Sequence, residues 1–315
     1  MKFRTVIRPE PANFRLTHRD RIVLAGSCFT DHIGRYLSEH WFNVAVNPFG
    51  TLYNSRSIRK IIERVVLQQP PTANDLFRHE NTFKSFDFPS RFNRPDKNEY
   101  LENIRETLRK YRDYFSETNY FFITLGTAQI YRLKNTGETV ANCHKVPARE
   151  FDKTLLTIEE ISEDLEKIRT LLHSLNPSMK IILTVSPVRY LQDGFTANTR
   201  SKARLAEAVF SFVEQHPGDT FYFPAYEIFI DDLRDYRFYA VDLKHPGEQG
   251  IQYVREFFET SFFDEQTQRL NRKIEKINAL TAHRTDDEQT LALLREKHKE
   301  QTENLLKEYP WLKPF

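Results

Sequence analysis

The chain has 315 residues, of which 39% are hydrophobic and 29% charged, the composition of a globular protein long enough to bury a large core. Its 46 basic and 44 acidic residues leave a formal net charge of +2, which excludes the overall basic field of a nucleic-acid binder, and no apolar run approaches the roughly 18 residues of a membrane span. Two cysteines, Cys28 and Cys143, exclude a disulfide framework, and with a basic N-terminus lacking an apolar signal core they give the expectation of a cytoplasmic protein.

A first strand is predicted over residues 22–25. It runs into Gly26-Ser27-Cys28-Phe29, after which Ile33, Leu37 and Trp41 recur at intervals of four, the spacing of one helix face. Gly26 lets the backbone turn sharply between the two. Ser27 therefore stands at a helix N-terminus, where unpaired N–H groups and a partial positive charge stabilise an alkoxide or an oxyanion. The same position also suits a plain N-cap. Further strands are predicted over 44–46, 120–125, 180–185 and 220–223. Between the third and fourth lies the stripe Ile158, Ile161, Leu165, Ile168, Leu171, Leu172 and Leu175, and a second helix is expected over 201–215. Five strands with helical crossovers imply an α/β fold, a flavodoxin-like doubly wound parallel sheet, whose ligands bind beyond the carboxyl ends of the strands. Ser27, residues 47–50, Gly126 and Ser186 fall at such ends.

Arg56, Arg59, Lys60 and Arg64 follow the 47–54 loop and read as the solvated face of a helix rather than a basic patch. Residues 77–100 are irregular, with Phe77, Phe83, Phe86, Phe88 and Phe92 among polar residues; such a segment is either the wall or lid of a site or an insertion packing its aromatics on the sheet. Asn142-Cys143-His144-Lys145 is either a turn or a source of polar side chains for a site. Ten histidines show no metal-ligand spacing, and no Gly-rich phosphate loop is present, so neither metal nor cofactor is expected. Asp242-Leu243-Lys244-His245 is a turn in which the carboxylate can orient the imidazole toward a nucleophile, or a surface turn with a solvated histidine. Beyond about residue 262 the chain becomes rich in Glu, Lys, Arg, Gln and Leu. The stripes Leu270, Ile274, Ile277 and Leu291, Leu294, His298, Leu305, separated by the capping-box pattern Thr285-Asp286-Asp287-Glu288, predict a helical hairpin. That hairpin packs on the preceding domain or pairs with a second copy of the chain, and residues 310–315 either tuck against the body or stay mobile.

Gly26-Ser27-Cys28-Phe29, Asn47-Pro48-Phe49-Gly50-Thr51-Leu52-Tyr53-Asn54, Thr124-Leu125-Gly126-Thr127-Ala128, Asn142-Cys143-His144-Lys145, Val185-Ser186-Pro187-Val188-Arg189 and Asp242-x-x-His245-Pro246 together resemble the GSCFA domain family. That family is similar to the SGNH/GDSL hydrolases. The resemblance spans about residues 1–262, and it implies a catalytic domain of SGNH-hydrolase type over 1–262 followed by a helical extension over 263–315. Carried over by residue, it makes Ser27 the nucleophile, His245 the general base, Asp242 its orienting partner and Gly50 a backbone donor to the oxyanion. Where the wider hydrolases have Gly-x-Asn-Asp, this chain has Gly126-Thr127-Ala128-Gln129, so one amide donor is missing. Such a loss costs about 100- to 1000-fold in rate, and Asn142 and His144 are the nearest residues of a type to fill the gap. The implied activity is a serine esterase cleaving an O-acyl ester of a carbohydrate or small metabolite, without nucleic-acid or membrane partners and with the C-terminal helices available for a homo-oligomer. Acyl transfer through the same residues and a non-catalytic binding or scaffold role are the alternatives.

Overall fold

Runs of Val, Ile, Leu and Phe with polar flanks build the centre of the molecule. The structure, a computed structural model, describes residues 4–282 and 287–314. Five strands, β1 (Arg21–Gly26), β2 (Asn43–Val46), β3 (Tyr120–Leu125), β4 (Lys180–Val185) and β5 (Thr220–Tyr222), form a sheet of order β5-β4-β3-β1-β2. Every neighbouring pair is parallel, with Gly26 opposite Thr124 and Leu125 opposite Val185. Eight longer helices flank or extend it: α1 (Cys28–Glu39), α2 (Ser55–Val66), α3 (Lys97–Ser116), α4 (Ile158–Leu175), α5 (Gly194–Gln215), α6 (Glu248–Phe262), α7 (Glu265–Ala282) and α8 (Glu288–Glu308).

Successive strand residues point to opposite faces, so β1 sends Val23 into one core and Leu24 into another. The first core gathers Ile61, Ile104, Ile168 and Val209 from α2 to α5. The second holds Ile33 and Leu37 of α1 with Phe258 and Phe262 of α6. Helices on both faces explain why the strands lack polar alternation, and the order places the topological switch point between β1 and β3. The fold is thus the flavodoxin-like doubly wound α/β sheet anticipated above, with C-terminal helices added.

Several segments depart from the reading of the sequence. Residues 126–157 include a small antiparallel sheet of Gln129–Leu133, Thr139–Val140 and Phe151–Leu155. Residues 77–100 contain the hairpin Phe77–His79 with Thr82–Lys84, and Phe88, Phe92 and Tyr100 are buried. The aromatics of this segment pack inward, and none of its residues lines the cleft described below. Helix α3, which that reading omits, buries Leu101, Ile104, Leu108 and Phe115 and is capped by Asp96. The basic cluster on α2 is not a solvated face. Arg56 and Arg59 meet the fully buried Asp164 of α4 at 2.8 and 3.0 Å, and Lys60 and Arg64 meet Asp87 at 2.6 and 2.5 Å. A carboxylate buried this deeply requires such partners.

Helices α7 and α8 bring Leu270, Ile274, Ile277 and Leu305 together with Leu312 and with Trp41. Asn271 Nδ2 donates to Tyr36 Oη at 3.2 Å, and His40 Nε2 lies 3.0 Å from Glu275, so the hairpin seats on the carboxyl end of α1. Trp311 lies under the Arg19 guanidinium at 4.8 Å. Helix α8 is capped by Asp287; Thr285 and Asp286 of the anticipated capping box lie outside the described residues. Among the described residues no helix is long and apolar enough to cross a membrane.

Gly26 adopts φ +140°, and a Cβ there would fall 2.3 Å from the Thr124 carbonyl oxygen, whereas Gly137, with φ +72°, has open space around it. Gly26→Ala is expected to cost at least about 2 kcal/mol in urea unfolding, from backbone strain plus the clash. Gly137→Ala should cost only about 1 kcal/mol, the strain alone. Equal losses at the two sites would show that the close approach of β1 and β3 does not matter.

Candidate active site

The turn that carries Ser27 is fixed by its backbone. Ser27 N–H donates to Thr124 O at 3.1 Å and Leu52 N–H to Gly26 O at 3.1 Å. Gly26 N–H donates to Asn47 Oδ1 at 2.9 Å, while Asn47 Nδ2 donates to Asp31 on α1 at 2.7 Å. Ser27 occupies the N-cap position of α1 but its side chain makes no cap hydrogen bond. Its Oγ is buried without a partner. A serine spent on capping would accept from the first-turn N–H groups, so the capping reading does not account for this hydroxyl.

Ser27 lines a cleft of about 710 Å³ at the carboxyl ends of β1, β3 and β4, together with Tyr53, Asn54, Gly126, Ser186 and His245. His245 comes from the turn before α6. Asp242 Oδ1 accepts the N–H groups of Lys244 and His245, both at 3.0 Å, and Oδ2 lies 2.6 Å from His245 Nδ1. The turn is closed behind them by Ala240 N–H to His245 O and Gly247 N–H to Phe238 O, both 2.8 Å. Leu243 within it has φ +55°, a conformation that a branched residue holds only when its surroundings impose it. The His245 side-chain hydrogen bond, followed by the His245 and Lys244 N–H groups, holds the Asp242 carboxyl well below the usual carboxylate range. Asp242 therefore stays ionised and fixes the tautomer of the ring, while His245 Nε2 makes no hydrogen bond among the described residues.

Other potential nucleophiles in the cleft are quiet. Burial pushes the thiols of both Cys28 and Cys143 up, which keeps them protonated and unreactive near neutrality. Ser186 Oγ accepts the Val188 N–H at 3.3 Å. Two further groups at the cleft have no role that the sequence assigns. Asn54 caps α2, its Oδ1 accepting the Ser57 N–H at 2.8 Å, so its amide N–H₂ is what remains for the cleft. Lys202, fully buried on α5, donates from Nζ to Gly126 O and Ser186 O, each at 2.6 Å, tying together two strand ends that line the cleft. A lone buried lysine carries no sequence signal, and in sequence Asn54 appears only as the last residue of the 47–54 motif, with no role assigned to it.

The anticipated oxyanion residues lie elsewhere. Gly50 N–H is given to Asn47 O at 2.8 Å, and Gly50 faces Pro89 and does not line the cleft. Asn142 Oδ1 accepts the His144 N–H at 2.9 Å, and His144 Nε2 lies 2.8 Å from Ser85 O with its ring against Phe77. Neither Asn142 nor His144 lines the cleft, although Ala141 and Cys143 do. Their turn instead holds the 77–86 hairpin. Ala128 is fully buried in the core, with its N–H bonded to Ser201 Oγ at 2.8 Å. An asparagine at 128 would thus bury an amide rather than reach the serine.

These elements define a class: a doubly wound α/β domain in which a serine and a histidine bonded to an aspartate line one cleft beyond the ends of its strands. The sequence model of the GSCFA family matches residues 21–258, and the chain belongs to that family. No curated protein matches the sequence. Among solved structures, this chain is similar to a carbohydrate esterase of family 3 from Talaromyces cellulolyticus, with 8% identity, 82% of this chain and 99% of that chain covered, and a TM-score of 0.36. It is also similar to an acetyl xylan esterase from the rumen bacterium Butyrivibrio proteoclasticus, with 12% identity, 81% of this chain and 64% of that chain covered, and a TM-score of 0.29.

Burial pushes Lys202 down to about 7. In the unfolded chain the amine keeps its proton up to about pH 10.4. Between these values folding releases a proton, so this lysine contributes stability that rises with pH above about 7, while below it the cost of burying the charge is present in full. The urea-unfolding free energy of the wild type minus that of Lys202→Met is expected to increase from pH 7.5 to 9.5. A difference flat over that range would mean that Lys202 stays charged in the folded protein.

Proposed function

We propose that this protein is a serine esterase that cleaves an O-acyl ester of a carbohydrate or small metabolite through an acyl-serine intermediate. The observation that carries this reading is the cleft itself, which joins an unpartnered, buried Ser27 Oγ to a histidine already oriented by a carboxylate. In the first step His245 Nε2 takes the Ser27 proton as Oγ attacks the ester carbonyl. The tetrahedral intermediate then expels the alcohol, which leaves with the proton from His245. Water enters, gives its proton to the same nitrogen and attacks the acyl-serine, releasing the acid and restoring Ser27. Asp242 remains ionised throughout and stabilises the imidazolium.

The Ser27 N–H is engaged by Thr124, which turns attention to other donors for the oxyanion. The N–H groups of Cys28 and Phe29 open α1 and have no intrahelical acceptor, and the positive end of the helix lies there. Asn54 supplies the side-chain amide that the sequence lacks at Ala128. The exposed rings of Tyr53 and Tyr190, with Tyr131 beside them, offer flat faces that support a ring-bearing alcohol portion.

Ser27→Ala should abolish labelling by a fluorophosphonate probe and hydrolysis of an activated ester while leaving the circular dichroism spectrum unchanged; turnover at the wild-type rate would sink the assignment. Because only a neutral imidazole accepts a proton, kcat/KM should fall on the acid side, and a rate flat from about pH 5 to 8 would remove His245 from the mechanism. Asn54→Ser keeps an oxygen to cap α2 but removes the amide. Its kcat/KM is expected to drop by about 100-fold or more with little change in thermal stability. A loss below about threefold would exclude Asn54 as an oxyanion donor.

A further inference from the structure

The charges around the cleft are unbalanced in one direction. Among the described residues its lining includes Arg189, Lys244 and His245, and no aspartate or glutamate. The two carboxylates nearest in sequence to these cations are already committed, Asp242 to His245 and Asp193 to Lys153. Arg189 follows β4 on the Val185-Ser186-Pro187-Val188-Arg189 stretch, and it is half-buried. Among the described residues it has neither an ion pair nor a hydrogen bond. The groups that feel its charge are the Tyr226 and Tyr239 phenols, which burial pushes up and which therefore stay neutral. Several half-buried arginines elsewhere in the fold meet a carboxylate, Arg56 at Asp164, Arg64 at Asp87 and Arg169 at Asp219, and others, Arg15, Arg132 and Arg204, donate to backbone carbonyls.

We propose that the cleft selects esters bearing a carboxylate or phosphate group, which Arg189 binds as the missing counter-ion. A partly desolvated guanidinium without a partner is costly in the free protein, and the walls of a cleft concentrate its field. A planar fork of donors suits a carboxylate or phosphate group, which accepts two hydrogen bonds at once. Lys244, exposed at the rim beside His245, adds a second positive charge that draws the anion toward the entrance. The substrate is then an acylated acid, such as an esterified sugar acid or a phosphorylated alcohol, rather than a neutral ester. This assignment rests on the esterase reading for its kinetic test but not for its binding test.

The kinetic test compares kcat/KM for 4-nitrophenyl acetate, 3-carboxy-4-nitrophenyl acetate and mono-4-nitrophenyl glutarate, which carry no charge, a charge on the leaving group and a charge on the acyl group. The anionic-to-neutral ratio for at least one charged ester is expected to fall about tenfold or more in Arg189→Gln, the loss of one charge-assisted contact, and to recover in part in Arg189→Lys. Whichever charged ester responds tells which side of the ester carries the anion. An Arg189→Gln variant that lowers all three rates together, leaving the ratios unchanged, overturns the proposal. The binding test titrates both charged esters into Ser27→Ala protein by calorimetry, where nothing is turned over. Addition of Arg189→Gln should weaken the binding of at least one of them about tenfold, and unchanged binding of both overturns the proposal. If the wild type hydrolyses none of these esters, the esterase reading fails and the calorimetry still decides the role of Arg189.

Discussion

A Cβ on Gly26 would lie 2.3 Å from the Thr124 carbonyl oxygen, so β1 and β3 run side by side to their ends only because residue 26 has no side chain. That approach lets Ser27 N–H reach Thr124 O and lets Asn47 bond the Gly26 N–H. Once Asn47 is placed there, its Nδ2 holds Asp31, and the start of α1 is locked against the loop after β2. Tyr53 O in the same loop accepts the Gly126 and Thr127 N–H groups at 2.8 and 2.9 Å, which brings three strand ends to one point. The cleft is the space left above them. Its position is set by backbone hydrogen bonds among rigid elements, which is what holding reacting groups in fixed geometry requires.

The low-dielectric interior behind the cleft acts on Cys28, Cys143 and Lys202 in the direction that removes charge. It raises both thiols and lowers the lysine. Lys202 fits that outcome, since an uncharged amine has two N–H bonds and here finds two carbonyl acceptors. Asp242 escapes the trend because it is exposed and receives three hydrogen bonds. The site therefore separates a dry side, where the uncharged Ser27 hydroxyl is buried, from a wet side, where the ionised carboxylate and its imidazole sit.

Much of this was legible from residue order. The five strands lie within two residues of their predicted ends, because strands buried on both faces are unbroken apolar runs. Ser27 and the Asp242–His245 turn stood out because each combines a reactive side chain with a local turn. The rest required contacts across the chain. Helix α3 was hidden because charged residues fill most of its surface, leaving Leu101, Ile104, Leu108 and Phe115 as a thin stripe. The basic residues of α2 looked solvated because Asp164 and Asp87, their partners, are distant in sequence. The oxyanion donors were misjudged for a related reason. The chain leaves the sheet after Leu125, and the bond from Ala128 N–H to Ser201 Oγ draws Ala128 into the core while Gly126 stays beside Ser27, a placement that motif order does not carry.

The two treatments of positive charge in this molecule show what distinguishes structure from site. Along α2, four cations sit against two buried carboxylates, and each charge is spent inside the fold. At the cleft, Arg189 and Lys244 meet none among the described residues. Folding alone would favour neutralising Arg189, as it does the arginines of α2, or replacing it with an apolar residue, since a well-packed hydrophobic substitute commonly matches or exceeds a buried ion pair in stability. An arginine kept half-buried and unpaired lowers the stability of the free protein, a cost that the proposed anion would offset on binding. The same surplus of positive charge would suit the proposed ester hydrolysis, because that reaction passes through an oxyanion and ends in a carboxylic acid that ionises, and a positive field stabilises the first and holds the second until water carries it away.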